Sequence, residues 1–122
     1  MYKKRANVSD MVGVTLISIS GVKDSEIIFT AEDGREWRMW HEQDCCESVE
    51  IEDVVGDIRD LVGTPLLLAE QVSSEDGPDL PREESYTWTF YKFATVKGDV
   101  LIRWLGTSNG YYSEAVDFCQ RN

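Results

Sequence analysis

Residues 86–118 read YTWTFYKFATVKGDVLIRWLGTSNGYYSEAVDF, and the class of the fold turns on them. Tyr86 to Val96 is dense in Thr, Tyr, Trp and Phe, side chains that suit the pleated, half-buried surface of a strand. Lys97-Gly98 breaks the run for two residues, and Asp99 to Leu105 resumes it. Asn109-Gly110 is a strong hairpin signal, because both central turn positions need positive φ and these residues tolerate it. Tyr111 to Phe118 then reads as a third strand. The spacing predicts an antiparallel meander and says nothing yet about function.

The N-terminal half repeats the pattern. Val12 to Ile19, Glu26 to Ala31 and Arg35 to His41 are β-type runs, the last two joined by a turn signal at Asp33-Gly34. On the third run Trp37, Met39 and His41 share one face, and Glu36, Arg38 and Trp40 the other. Residues 44–63 change character. Val49 and Ile51 alternate with Glu50 and Glu52 in a short extended piece. Asp53 then serves as the cap of a short helix carrying Val54, Ile58, Leu61 and Val62 at helical spacing. Gly63 and Pro65 stop it. LLLAEQV at 66–72 is nearly continuously apolar, which predicts a strand that is central or covered on both faces. The expected class is α+β, mainly antiparallel, with two β-meanders flanking one short helix. The expected organisation is a loose segment 1–10, then a single β-rich domain 11–122 containing an acidic loop at 73–84.

A chain of 122 residues is long enough to bury a core without disulfides or metal. Its net charge of −11 is the most unusual bulk property. Such a surface repels nucleic-acid backbones and anionic lipids, so direct nucleic-acid and membrane binding are disfavoured, while a basic protein partner is favoured. Three cysteines, two of them adjacent, do not form a secreted disulfide framework and read as reduced thiols of a cytoplasmic protein. MYKKRANVSD lacks the apolar stretch of a signal peptide, and no apolar run reaches membrane-spanning length.

Two stretches could carry chemistry. His41, Asp44, Cys45 and Cys46 gather metal-binding residue types within one turn of chain, so a divalent metal is the candidate cofactor. Their spacing fits neither the zinc-protease nor the zinc-deaminase pattern. Adjacent cysteines on a strand face opposite sides, which favours a plain structural use instead. A Cys–His nucleophilic pair is a further alternative, though an oxyanion donor is missing from it. The second stretch is the hairpin. With Lys97-Gly98 as its loop, Lys92 faces Arg103 beside Trp88. Like charges directly opposite call for an anion between them, either a ligand or a carboxylate from residues 44–60 of the same chain. Asn109, Tyr111 and Tyr112 add an aromatic contact surface at the turn. Glu47, Glu50, Glu52, Asp53, Asp57 and Asp60 form an acidic series that can imitate a phosphate backbone.

DGREWRMWHEQDCCESVEIEDVVGDIRDLVGTPLLLAEQ at 33–71 and the 86–118 stretch resemble a family of short bacterial and bacteriophage proteins, classed as a domain of unknown function. The strings His-x-x-Asp-Cys-Cys and Ser-Asn-Gly-Tyr-Tyr-Ser carry the resemblance, which spans about residues 13–118. It implies no activity or catalytic residue. It does imply a phage or prophage accessory protein that binds a host protein in the host cytoplasm, non-catalytically, as a nucleic-acid mimic or an anti-defence factor. The alternatives from the residues are an enzyme at His41 to Cys46 and a binder of a small anion at Lys92 and Arg103. Surface aromatics and sheet edges also favour a homodimer.

Overall fold

The computed structural model describes residues 4–74 and 85–121. Among the described residues, nine strands form two antiparallel sheets. The first has five: β1 (Lys4–Arg5), β9 (Asp117–Arg121), β4 (Glu36–Trp40), β3 (Ile27–Ala31) and β2 (Leu16–Ser20), in that spatial order. The second has four: β5 (Ser48–Val55), β8 (Gly98–Ser108), β7 (Ser85–Thr95) and β6 (Leu68–Ser74). Burial alternates along β3, β4 and β8, so each sheet turns one face inward. Phe29 on β3 meets Phe93 on β7 of the other sheet at 5.6 Å between ring centroids, which closes the sheets into a sandwich, and Phe118 on β9 of its own sheet at 6.4 Å. Trp37, Met39, Tyr91, Ile102 and Trp104 fill the same core. From the N-terminal segment, β1 pairs with β9, and Val8 and Met11 of a 3-10 turn enter the core.

The expected α+β class is corrected to all-β, since the described residues contain no α-helix. The helix expected after Asp53 fails for a local reason. Val54 and Val55 stay in β5, paired with Ile102 and Leu101. Gly56 then turns at φ +103°, outside helical space. Asp57, not Asp53, caps the single 3-10 turn Ile58–Leu61 by accepting from the Arg59 amide at 3.0 Å. A Cβ on Gly56 would stand 2.4 Å from the Asp99 carbonyl oxygen. Gly56→Ala is therefore expected to destabilise the fold by about 1–3 kcal/mol, read as a lower midpoint in urea unfolding with an unchanged slope.

The first meander is present as β2–β3–β4. The second is only a hairpin, β7–β8, because the chain leaves Ser108, crosses to the other sheet and pairs as β9 with β4. Asn109-Gly110 thus opens a crossover, not a hairpin. LLLAEQV is corrected from a central or covered strand to an edge, with Leu67 and Leu68 exposed. The hairpin turn is Val96-Lys97, closed by Thr95 opposite Gly98. Gly98 is instead a strand residue against which the Asp60 carboxylate packs; a Cβ there would lie 2.8 Å from it. Of the acidic loop expected at 73–84, Ser73 and Ser74 extend β6, and the remainder lies outside the described residues. No helix among the described residues is long and apolar enough to cross a membrane.

Candidate functional site

Two loops carry the chain between the sheets at the same end of the sandwich. One joins β4 to β5 through residues 41–47; the other joins β8 to β9 through 109–116. They lie side by side because the strands they leave and enter are paired: Trp40 with Asp117, and Ser48 with Thr107. The His-x-x-Asp-Cys-Cys and Ser-Asn-Gly-Tyr-Tyr-Ser strings, distant in sequence, therefore meet.

His41 joins the loops. Its Nδ1 donates to the Ala115 carbonyl at 2.7 Å, and its Nε2 lies 2.7 Å from Glu47 Oε2. The side chains are 4% and 0% exposed. Glu47 also accepts from the backbone amides of Asp44 at 2.8 Å and Cys45 at 2.9 Å. Those amides, first Cys45 and then Asp44, with His41 after them, hold the Glu47 carboxyl at about 2, well below its ordinary 4.5. An ionised carboxylate only accepts, so Glu47 is the acceptor towards the His41 ring. Gln43 closes the loop by donating to the Glu47 carbonyl at 2.6 Å.

Both ring nitrogens of His41 are directed at oxygen partners. Cys45 and Cys46 are bonded to each other rather than free, which corrects the expected reduced thiols, and Cys119 is a buried thiol. The Asp44 side chain is exposed to solvent. Among the described residues no group of three or more His, Cys, Asp or Glu could hold a metal ion. Sequence reasoning counted Glu47 with the acidic series and missed it as the partner of His41. The only available signal was a carboxylate at the foot of a strand, closing the loop that a lone histidine opens.

The second loop is tied down by Glu114, which accepts from Thr87 Oγ1 at 2.7 Å and from Ser108. Burial works against its charge, but these hydroxyls outweigh burial and hold its carboxyl below the usual range. Asn109 accepts from the Tyr111 amide at 2.9 Å in a local turn. Tyr111 is 84% exposed and meets Tyr112 edge-on at 5.1 Å. Between the loops lies an open cleft of about 280 Å³ lined by Cys46, Thr107, Ser108 and Asn109.

Lys92 and Arg103 do not face each other. The turn sits one residue earlier than expected, so Lys92 pairs across β6 and β8 with Glu70 and Leu101, and Arg103 stands opposite Phe90. Arg103 is held by the Glu52 carboxylate and lies 5.1 Å above the Trp88 ring. The pattern recurs: Arg5, Arg35, Arg38, Arg59 and Arg121 are each ion-paired within the chain as well.

Residues 2–118 match the family model described as Domain of unknown function (DUF7448). No curated protein and no solved structure matches the chain.

Proposed function

The chain belongs to the DUF7448 family, which carries no assigned activity, and from its surface we propose that it is a non-catalytic binding protein for a basic protein partner. The fuller form of this reading is a phage or prophage accessory protein acting on a host protein in the host cytoplasm. A partner that itself binds nucleic acid suits it best, the carboxylates standing in for phosphates. One observation supports it most. All six described arginines are committed to carboxylates of the same chain, which leaves the acid excess on the surface without internal compensation. Exposed Glu42 and Asp44 in the β4–β5 loop and exposed Glu50 on β5 have no ion-pair partner among the described residues. Rows of like charge at an interface speed encounter and select oppositely charged partners.

The test is capture from bacterial lysate at low and high salt, with the partner identified and its affinity then measured. A basic partner is expected, released by salt. Glu42→Gln, Asp44→Asn and Glu50→Gln combined are expected to weaken it about tenfold at low ionic strength, mostly through a slower association rate. A partner indifferent to salt and to these three substitutions would count against the reading.

A further inference from the structure

We infer that the outer face of the four-stranded sheet is the docking surface, and that its occupant is an amphipathic basic helix of the partner; this rests on the binding reading above. The strand register lays out that face in rows. Glu70, Lys92, Leu101 and Val55 form one row across β6, β7, β8 and β5; Val72, Phe90, Arg103 and Asp53 form the next. An apolar stripe of Val55, Leu101, Phe90 and Val72 therefore crosses all four strands. Val55 is 55% exposed, and Leu68, beside the stripe, is 38% exposed. Shallow clefts of about 220 Å³ open on either side of Lys92 and Leu101 along it. The outward face of a sandwich sheet ordinarily alternates to polar residues, so a continuous apolar stripe there marks a contact surface.

Charge identifies the occupant. Among the described residues, Glu50, Glu52, Asp53, Glu70 and Asp99 stand on this face or its margin, against the cations Lys92 and Arg103. Both cations already stand beside carboxylates of this chain: Arg103 on Glu52, and Lys92 across from Glu70. The surface is apolar along its middle and acidic at both borders. A helix with a leucine-type face and lysine or arginine flanks matches both features, its apolar side on the stripe and its cations on the borders. A second copy of this chain matches only the first. It would bring the same acidic borders against each other in molecules that each carry −11.

The probe is a fluorescent helical Leu/Lys peptide with one apolar face, titrated by anisotropy at about 50 mM salt, where surface charge is weakly screened. Its Leu→Ser and Lys→Glu counterparts are run beside it, and light scattering records the oligomeric state. The Leu/Lys peptide is expected to bind and both counterparts to bind at least tenfold more weakly. Val55→Gln with Leu68→Gln is expected to weaken the Leu/Lys peptide about tenfold. Ile17→Gln, an equally exposed apolar residue on the other sheet, is expected to leave it unchanged. Equal binding of the Leu→Ser peptide, or no effect of Val55→Gln with Leu68→Gln, would overturn the docking face while leaving the basic-partner reading intact. Failure of every basic peptide, together with failure to capture a salt-sensitive lysate partner, would remove both. A dimer dissociated by the Val55 and Leu68 substitutions would overturn the inference in favour of a second copy.

Discussion

Glu47→Ala is expected to melt roughly 5–10 °C below the parent protein at neutral pH, a large loss for one side chain in a domain of this size. The carboxylate receives three hydrogen bonds, from the Asp44 amide, the Cys45 amide and His41. Its side chain is 0% exposed. Removing it leaves donors that fold around nothing, and a buried donor without a partner costs more than the bond it made. Glu47→Gln separates charge from shape: it keeps the volume but offers an amide where backbone donors need an acceptor. The pH profile gives a second readout. The folded carboxyl titrates at about 2 against an ordinary 4.5. Its ionised form therefore contributes stability that is complete above about pH 4.5 and is lost as pH falls through the folded value. Melting temperature measured by circular dichroism from pH 7 to 2 should fall more steeply below pH 4.5 in the parent than in Glu47→Gln. Parallel acid limbs for the two proteins would show that this carboxylate does not anchor the loop.

How much of this was legible in the sequence depends on what each signal encodes. Strand faces were legible. Period two puts Trp37 and Met39 on one face of their strand, and both are buried. The register of β7 on β8 was not. Placing the turn at Lys97-Gly98 instead of Val96-Lys97 moved each partner by two residues, an even slip that preserves which face a side chain occupies while changing whom it meets. Lys92, expected opposite Arg103, meets Leu101 instead. Gly98 misled because glycine usually signals a turn, and here it answers a close approach by Asp60. The sheet switch was illegible for a related reason. Residues 109–118 have the composition of a returning strand, but Asp117 pairs with Trp40, a partner 77 positions earlier, and nothing local records that. The candidate site follows the same rule. The two strings were each visible, and their convergence is a property of topology.

The largest expected loss comes from the contact that makes two sheets one domain. Phe93→Ala removes a ring lodged among Phe29 and the inward side chains of both sheets, and an aromatic-to-alanine change in a core costs about 3–5 kcal/mol. Against a total stability of about 5–15 kcal/mol, this alone brings the protein close to unfolding at room temperature. Phe93→Leu and Phe29→Leu are the milder probes, since each keeps an apolar side chain and a folded protein. Phe29 belongs to the five-stranded sheet and Phe93 to the four-stranded one, so only packing of sheet on sheet brings their rings to 5.6 Å. A double-mutant cycle on the two leucine variants should therefore show a coupling of about 0.5–1.5 kcal/mol in urea unfolding. Val96→Ser, at the exposed hairpin tip, serves as the uncoupled reference. A meander with a helix across one face would pair Phe93 with helical residues and leave Phe29 uncoupled from it. Strict additivity of the two leucine substitutions would thus reject the sandwich, and with it the outward-facing apolar stripe, because that stripe exists only if the opposite face of the same strands is the one that closes on Phe29.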